Sequence, residues 1–294
     1  MTQMLAARSE RELKVEEQSQ GPLLVARPAD HIVVLTLNYP ERLNPVGGEL
    51  SERLVQIWPQ IDADPTVRVV VLTGAGRGFC SGANLGPWAE SGGSRLAQVG
   101  VDAIERRGLP GYRGPSAQAY PRFTARQAHV YKPVITAVNG VCAGAGLHFI
   151  ADSDIVICSD TATFVDTHVN VGQVSALEPI GLTRKIPLGS VTRMVCMGKH
   201  ERLTAQRALE IGLVSEVVPH DTLMERAIEI ARQVATASPT ALQTSLRAIW
   251  ESLELGLTAA YYNGFAPLTA HWDHPDAQEG PRAFMEKREP KWTT

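Results

Sequence analysis

Residues 139–154 read NGVCAGAGLHFIADSD. No other stretch limits the fold as strongly. The apolar run YKPVITAV (131–138) leads directly into it, and an apolar, helix-compatible segment leaves it. Glycine lets a backbone turn sharply and leaves its N–H groups uncovered. A helix start adds further unpaired N–H donors and the positive end of a dipole. Strand, tight turn and helix in immediate succession is an α/β arrangement with a parallel element. A second stretch, GRGFCSGANL (76–85), repeats the design after the buried run VRVVVLT. Two N–H donors aimed at one point could hold a carbonyl oxygen as it becomes an oxyanion, each contributing roughly 3 kcal/mol in a transition state. A dinucleotide fingerprint does not fit, because after Gly74 and Gly76 the third glycine position is Phe79,. No Walker A sequence occurs either.

The rest of the chain is consistent with that class. LLVARPADHIVVLTLN (23–38) forms two β-rich runs around a Pro-Ala-Asp turn and predicts a hairpin,. Leu50, Leu54, Ile57 and Ile61 recur at helical spacing,. DIVICSD (154–160) reads as a further strand. A loop and short helix follow ATFVDTHVNVG, and TAQRALEIGLVSEVV reads as helix, glycine stop and strand. From His220 onward the pattern is mainly helical, which implies a cap or an oligomer contact. Residues 88–122, rich in Gly, Pro, Ser and Arg, read as a helix plus a long loop near a ligand,.

Net charge is −3, which gives no electrostatic case for nucleic acid or an anionic membrane,. No apolar run approaches the roughly 18 residues that span a bilayer. Residues 1–22 are polar and rich in Glu, lack the apolar core of a signal peptide, and read as a solvated lead-in,. Cys80, Cys142, Cys158 and Cys196 are scattered without a CxxC pair, so neither zinc nor a disulfide framework is expected and a reducing cytoplasm fits,. HWDHPD (271–276) lacks the helical His spacing of a zinc site, so no metal is expected there,.

The order and spacing of LNYPERLNPV, GRGFCSGANL, KPVITAVNGVCAGAGLHFIADSDI, RLTAQRALEIGLVSEVVP and the terminal AFMEKREPKW resemble the crotonase, or enoyl-CoA hydratase/isomerase, superfamily over residues 23–292. The resemblance implies a spiral of ββα turns over 23–218, after the N-terminal extension 1–22, and a helical trimerisation region over 219–294. Trimers of this family often pair into hexamers. It implies an acyl-CoA substrate, with coenzyme A as part of the substrate and no separate cofactor. The thioester oxygen would be held by the backbone N–H groups of Ala83 and Ala145. Arg42 and Leu43 match the loop that meets the nucleotide end of CoA, and Asn84 and Leu85 the path beside the first oxyanion donor. Lys287 matches a helix that reaches a neighbouring subunit's CoA, and residues 88–120 fall where acyl specificity is set.

One departure stands out. The two glutamates that flank the reacting carbons in hydrating members are matched here by His148 and His168. Imidazole, with an ordinary pKa near 6.5, suits proton transfer at neutral pH. A helix start beside His148 disfavours its cation, so His148 is expected to be a neutral orienting group and His168 the general base. A base histidine is usually oriented by a third group; Glu178 and Asp166 are the candidates. A histidine-dependent reaction on an acyl-CoA thioester through an enolate-like intermediate is the leading expectation, hydration first and isomerisation as a further option. The alternatives are hydrolytic C–C cleavage, since the β-diketone hydrolases of the superfamily pair a histidine with a carboxylate, and a CoA-ester binding protein without turnover.

Overall fold

The computed structural model describes residues 14–86 and 122–293. The stretch from Trp88 to Tyr120 lies outside the described residues. Along the chain the strands are β1 (Leu23–Ala29), β2 (Ile32–Leu37), β3 (Val69–Gly74), β4 (Gly78–Cys80), β5 (Val134–Val138), β6 (Val141–Ala143), β7 (Ile155–Ser159), β8 (Thr163–Val165), β9 (Leu203–Thr204) and β10 (Glu216–Val218). They form two sheets, one ordered β1-β2-β3-β5-β7-β10 and the other β4-β6-β8-β9. The β1–β2 hairpin is antiparallel, as the Pro-Ala-Asp turn predicts, and every later pairing of the large sheet is parallel. Three times, a long strand of the large sheet runs on within a few residues to a short strand of the small one: β3 to β4, β5 to β6, β7 to β8. This is the spiral repeat, and it brings the loops after β4, β6 and β8 to one side of the small sheet.

The helices are α1 (Gly48–Ala63), α2 (Leu147–Ala151), α3 (Leu177–Leu182), α4 (Leu188–Met197), α5 (Ala205–Glu210), α6 (Leu223–Ala235), α7 (Pro239–Ser252), α8 (Leu257–His271) and α9 (Pro275–Glu286). The large sheet is covered on both faces, which explains why β3 is an unbroken apolar run instead of an alternating one. Val33, Leu35, Leu37, Val70 and Leu72 face the inner core with Leu50, Leu54, Ile57 and Trp58 of α1. Ile32, Val34, Val69, Val71, Ile135 and Ile157 face the other way, onto Leu223, Ala227 and Ala231 of α6. The first helix of the C-terminal region is thus a layer of the core. Beyond it, α7 and α8 present an apolar face in which Ile249, Tyr261 and Phe265 are each more than half exposed.

Most of the described part of the lead-in is exposed, as its polar composition predicts, but it is anchored through Val15 and Gln18. Val15 is buried, its N–H donates to Asp64 Oδ2 at 2.7 Å and its carbonyl accepts from Arg27 Nε at 3.0 Å, while Gln18 pairs with Val25. Asp64, with a fully buried side chain, also takes Thr66 N–H, Thr66 Oγ1 and the Arg27 guanidinium. A buried carboxylate must find such partners, and the segment from residue 14 supplies one of them. Cys80, Cys142 and Cys158 are buried, whereas Cys196 near the end of α4 is exposed. Burial pushes the Cys80 and Cys158 thiols up to about 12. Among the described residues no helix is long and apolar enough to cross a membrane, and no cluster of His, Cys, Asp and Glu could hold a metal ion.

Candidate active site

The site grows out of the loops that follow β4, β6 and β8. After β4 the chain turns at Gly82, with φ +104°, a value that L side chains avoid,. Val46 N–H donates to Gly82 O at 2.8 Å and Asn84 N–H to Val46 O at 2.8 Å, so both neighbours of Ala83 are fixed while its own N–H meets no acceptor among the described residues. After β6, Gly144 takes φ +48° and starts a 3-10 turn, Gly144–Gly146, that runs directly into α2. Ala145 lies in the first turn, where N–H groups have no acceptor inside the helix. The two turns abut: a methyl group at Gly82 would lie 3.7 Å from Ala145 N.

Between them opens a cleft of about 210 Å³ lined by Ala83 and Leu85 on one wall, Gly144 and Ala145 on the next, and His168 and Glu178 opposite. His168 sits at the start of a 3-10 turn after β8. Its Nδ1–H donates to Asp166 Oδ1 at 2.8 Å, and its backbone N–H donates to the same oxygen at 3.0 Å. Ser175 Oγ donates to the other carboxylate oxygen. Burial would push the Asp166 carboxyl up, but the hydrogen bonds from His168 and Ser175 outweigh it and hold the carboxyl below its ordinary value. The same hydrogen bond raises His168 above the ordinary imidazole value; burial opposes the rise, and the charges of Glu178 and Asp166 add to it.

His148 lies on α2, 6 % exposed, with the Phe123 ring edge-on at 5.2 Å. Its Nδ1 meets Gln127 Nε2 at 3.2 Å, and its Nε2 faces Glu178 Oε1 at 3.2 Å. Glu178 stands in the first turn of α3 and is turned inward, 6 % exposed. The same Oε1 lies 3.6 Å from His168 Nε2, so one carboxylate oxygen sits between the two imidazoles. Burial opposes its ionisation, yet the His148 hydrogen bond and the two rings hold Glu178 below the ordinary carboxylate value. The two candidate partners of His168 therefore occupy different places: Asp166 bonds Nδ1 from behind, and Glu178 faces Nε2 from the cleft.

The residues assigned to CoA are more dispersed. Leu43 takes a left-handed turn (φ +58°), and its carbonyl accepts from Ser81 N–H at 2.7 Å, which ties this loop to the wall of the cleft. Leu85 lines the cleft and Asn84 adjoins it. Arg42 and Lys287 are exposed and line no part of it. Two residues that serve the site carry no local sequence signal. Ser175 lies nine residues beyond Asp166, and Gln127 reaches His148 across 21 positions.

An α/β spiral whose two backbone turns meet His168 and Glu178 in one small cleft, with His148 behind Glu178 and Asp166 behind His168, defines a class of acyl-transforming enzyme folds rather than a single reaction. Residues 28–294 match the enoyl-CoA hydratase/isomerase family, and the chain belongs to it. It is 33% identical to a mevalonyl-coenzyme A hydratase of Aspergillus fumigatus over 92% of this chain and 94% of that protein. It is 32% identical to a 1,2-epoxyphenylacetyl-CoA isomerase of Escherichia coli over 89% and 95%. A crystal structure of an enoyl-CoA hydratase/isomerase from Mycobacterium paratuberculosis superposes with a TM-score of 0.76 at 36% identity, covering 94% of this chain and 99% of that one. The chain is an acyl-CoA-processing enzyme of the hydratase/isomerase type.

Proposed function

We propose that the enzyme adds water to an enoyl-CoA, with His168 as the group that moves the proton. The observation that carries this reading is the Asp166–His168–Glu178 line, a ring bonded from behind by a buried carboxylate and open at Nε2 toward the cleft. The Ala83 and Ala145 N–H groups hold the thioester oxygen and stabilise the enolate that forms when hydroxide adds to C3. His168 Nε2 takes the proton of the attacking water. The imidazolium is held by Asp166 and faced by Glu178 until it returns that proton to C2. The added water is thereby fully accounted for: oxygen and one hydrogen at C3, the other hydrogen at C2. Glu178 accepts a hydrogen bond from the O–H that stays with the water oxygen, and is itself held by His148 Nε2–H. The hydratase names among the relatives favour this lyase reaction.

Substitution of His168 by Gln tests it. Crotonyl-CoA hydration, followed by loss of enoyl absorbance, is expected to fall by about 10²- to 10⁴-fold, the usual contribution of a positioned acid–base group. Acyl-CoA affinity is expected to stay within a few-fold. Unchanged turnover would rule out the assigned role. A second reading rests on the same dyad: His168 could direct water at a β-diketone carbonyl, with cleavage leaving an enolate in the same backbone site. A cyclic β-diketone consumed faster than crotonyl-CoA would favour it. Binding of CoA esters with no turnover of either class would point to a carrier. Assembly with further copies of the chain through the apolar face of α7 and α8 belongs to the same proposal.

A further inference from the structure

The mechanism above uses His148 only as an anchor, and what holds His148 itself lies behind the cleft. Gln127 is 8 % exposed, and its amide is the group that meets Nδ1. Thr124 Oγ1 accepts from Gln127 N–H at 3.3 Å and donates to Asp152 Oδ2 at 2.6 Å, so the stretch carrying the amide is fixed at its base. Gln127 Oε1 is buried without a hydrogen-bond partner among the described residues. On this side of His148 lies a second cavity, about 600 Å³, lined by Gln127, His148 and Asp152 among others.

We propose that Gln127 is a positioning residue for His148: its amide completes the Nε2–H tautomer that Glu178 favours and can serve both protonation states of the ring by half-turn rotation. The two imidazoles differ in what meets Nδ1. Asp166 can only accept, so it favours a hydrogen on His168 Nδ1 in every state and favours the cation. A primary amide carries two donors and an acceptor on one planar group. With its NH₂ on Nδ1, as the structure has it, the neutral ring must carry its hydrogen on Nε2, where Glu178 accepts it. With Oε1 on Nδ1, the ring carries hydrogens on both nitrogens and still donates to Glu178. The two orientations use the same site, and each leaves one amide atom unpaired. A carboxylate in this place would remove the choice.

His148 shares its second cavity with Arg126, His129, Arg184, Glu251 and Glu254. Glu178 faces it from α3, and His168 stands beyond that carboxylate. Asp152 closes its own helix, with Arg126 and Lys185 facing Asp152 from behind. The assignment takes His148 as part of the proposed site but does not depend on turnover.

The test is ¹⁵N spectroscopy of the His148 ring in the full chain without ligand, across pH, for wild type, Gln127→Glu and Gln127→Met. In wild type the neutral ring is expected to show a single tautomer, with hydrogen on Nε2. Gln127→Glu is expected to keep both nitrogens protonated to a pH about one unit or more above wild type, the usual effect of an opposite charge at this range. Gln127→Met leaves Glu178 to hold the hydrogen on Nε2 and is expected to move the Nδ1 resonance downfield, as its lone pair loses the amide hydrogen. Should Gln127→Glu fail to fold, Gln127→Met reads the same assignment. A His148 Nδ1 resonance unchanged in Gln127→Met, or a protonation range unchanged in Gln127→Glu, overturns it. A chain that meets these expectations yet turns over no acyl-CoA ester sinks the hydration proposal and leaves the role of Gln127 standing.

Discussion

Replacing Asp166 by Asn keeps size and shape but removes the charge behind His168. The aspartate is 1 % exposed and accepts three hydrogen bonds, from His168 Nδ1, His168 N and Ser175 Oγ. An asparagine oxygen can accept from some of these donors, but its NH₂ must then face another donor. A hydrogen bond to a charged group contributes about 1.5–3 kcal/mol. If that stabilisation is lost to the imidazolium in the transition state, the plateau rate falls by roughly 10- to 150-fold. The pH dependence moves the other way. A base must be neutral, and Asp166 raises His168 above its ordinary value, chiefly by the hydrogen bond at 2.8 Å. The acid limb of the wild-type profile therefore lies above the ordinary imidazole value of about 6.5, and in Asp166→Asn it moves to lower pH. A lower plateau with an acid limb displaced downward is the signature, read from crotonyl-CoA hydration between about pH 5 and about pH 9. A plateau within twofold of wild type, or an acid limb that stays or rises, refutes the reasoning.

Three further outcomes follow from the same geometry. Glu178→Gln keeps an acceptor for His148 but removes the anion that faces His168, so turnover is expected to drop by about 10²-fold, with the acid limb also moving down; an unchanged rate would place the carboxylate outside the reaction. Gly144→Ala puts a side chain at φ +48° and its methyl 3.5 Å from His168 Cε1. The left-handed strain, about 1–2 kcal/mol, is expected to lower thermal stability and to weaken acyl-CoA binding by roughly tenfold, checked by melting and calorimetric titration. Asp64→Ala strands Arg27 and frees the N–H of Val15, at a cost of about 3–5 kcal/mol in chemical unfolding. Burial would raise Asp64, but hydrogen bonds from Thr66 and Val15 hold it below its ordinary value. Its stabilisation is therefore present above the ordinary carboxylate range and lost as pH falls through the lower folded value, so the gap between wild type and Asp64→Ala is expected to narrow in acid.

The large sheet was legible because β2, β3, β5 and β7 are runs of five or six mostly branched apolar residues with clear punctuation. The small sheet was not, since β4, β6, β8 and β9 are two or three residues long and carry too few positions for any period to register. The turns that build the cleft could be read from Gly82 and Gly144, where a positive φ leaves glycine as the natural choice. His148 and His168 were visible by their places in a family pattern. Which carboxylate stood behind which nitrogen was not visible. Asp166 reaches His168 through a two-residue turn, but Glu178 enters the cleft only because α3 packs its first turn inward, a matter of tertiary contact. Gln127 was missed for the same reason: its meeting with His148 depends on where the stretch before β5 lies against α2. The docking of Val15 escaped notice because a single apolar residue in a polar stretch has no periodic partner to announce it.

The single exposed cysteine gives the chain a native handle. Cys80, Cys142 and Cys158 are buried, whereas Cys196 is open to solvent, so a thiol-reactive dye attaches at one site without engineering,. That site lies near the end of α4, whose continuation is fastened by Lys199 N–H to Asn170 Oδ1 at 2.6 Å. Asn170 belongs to the same short turn as His168. A fluorophore there would report, through one hydrogen bond, any displacement of the ring-bearing segment when a thioester enters.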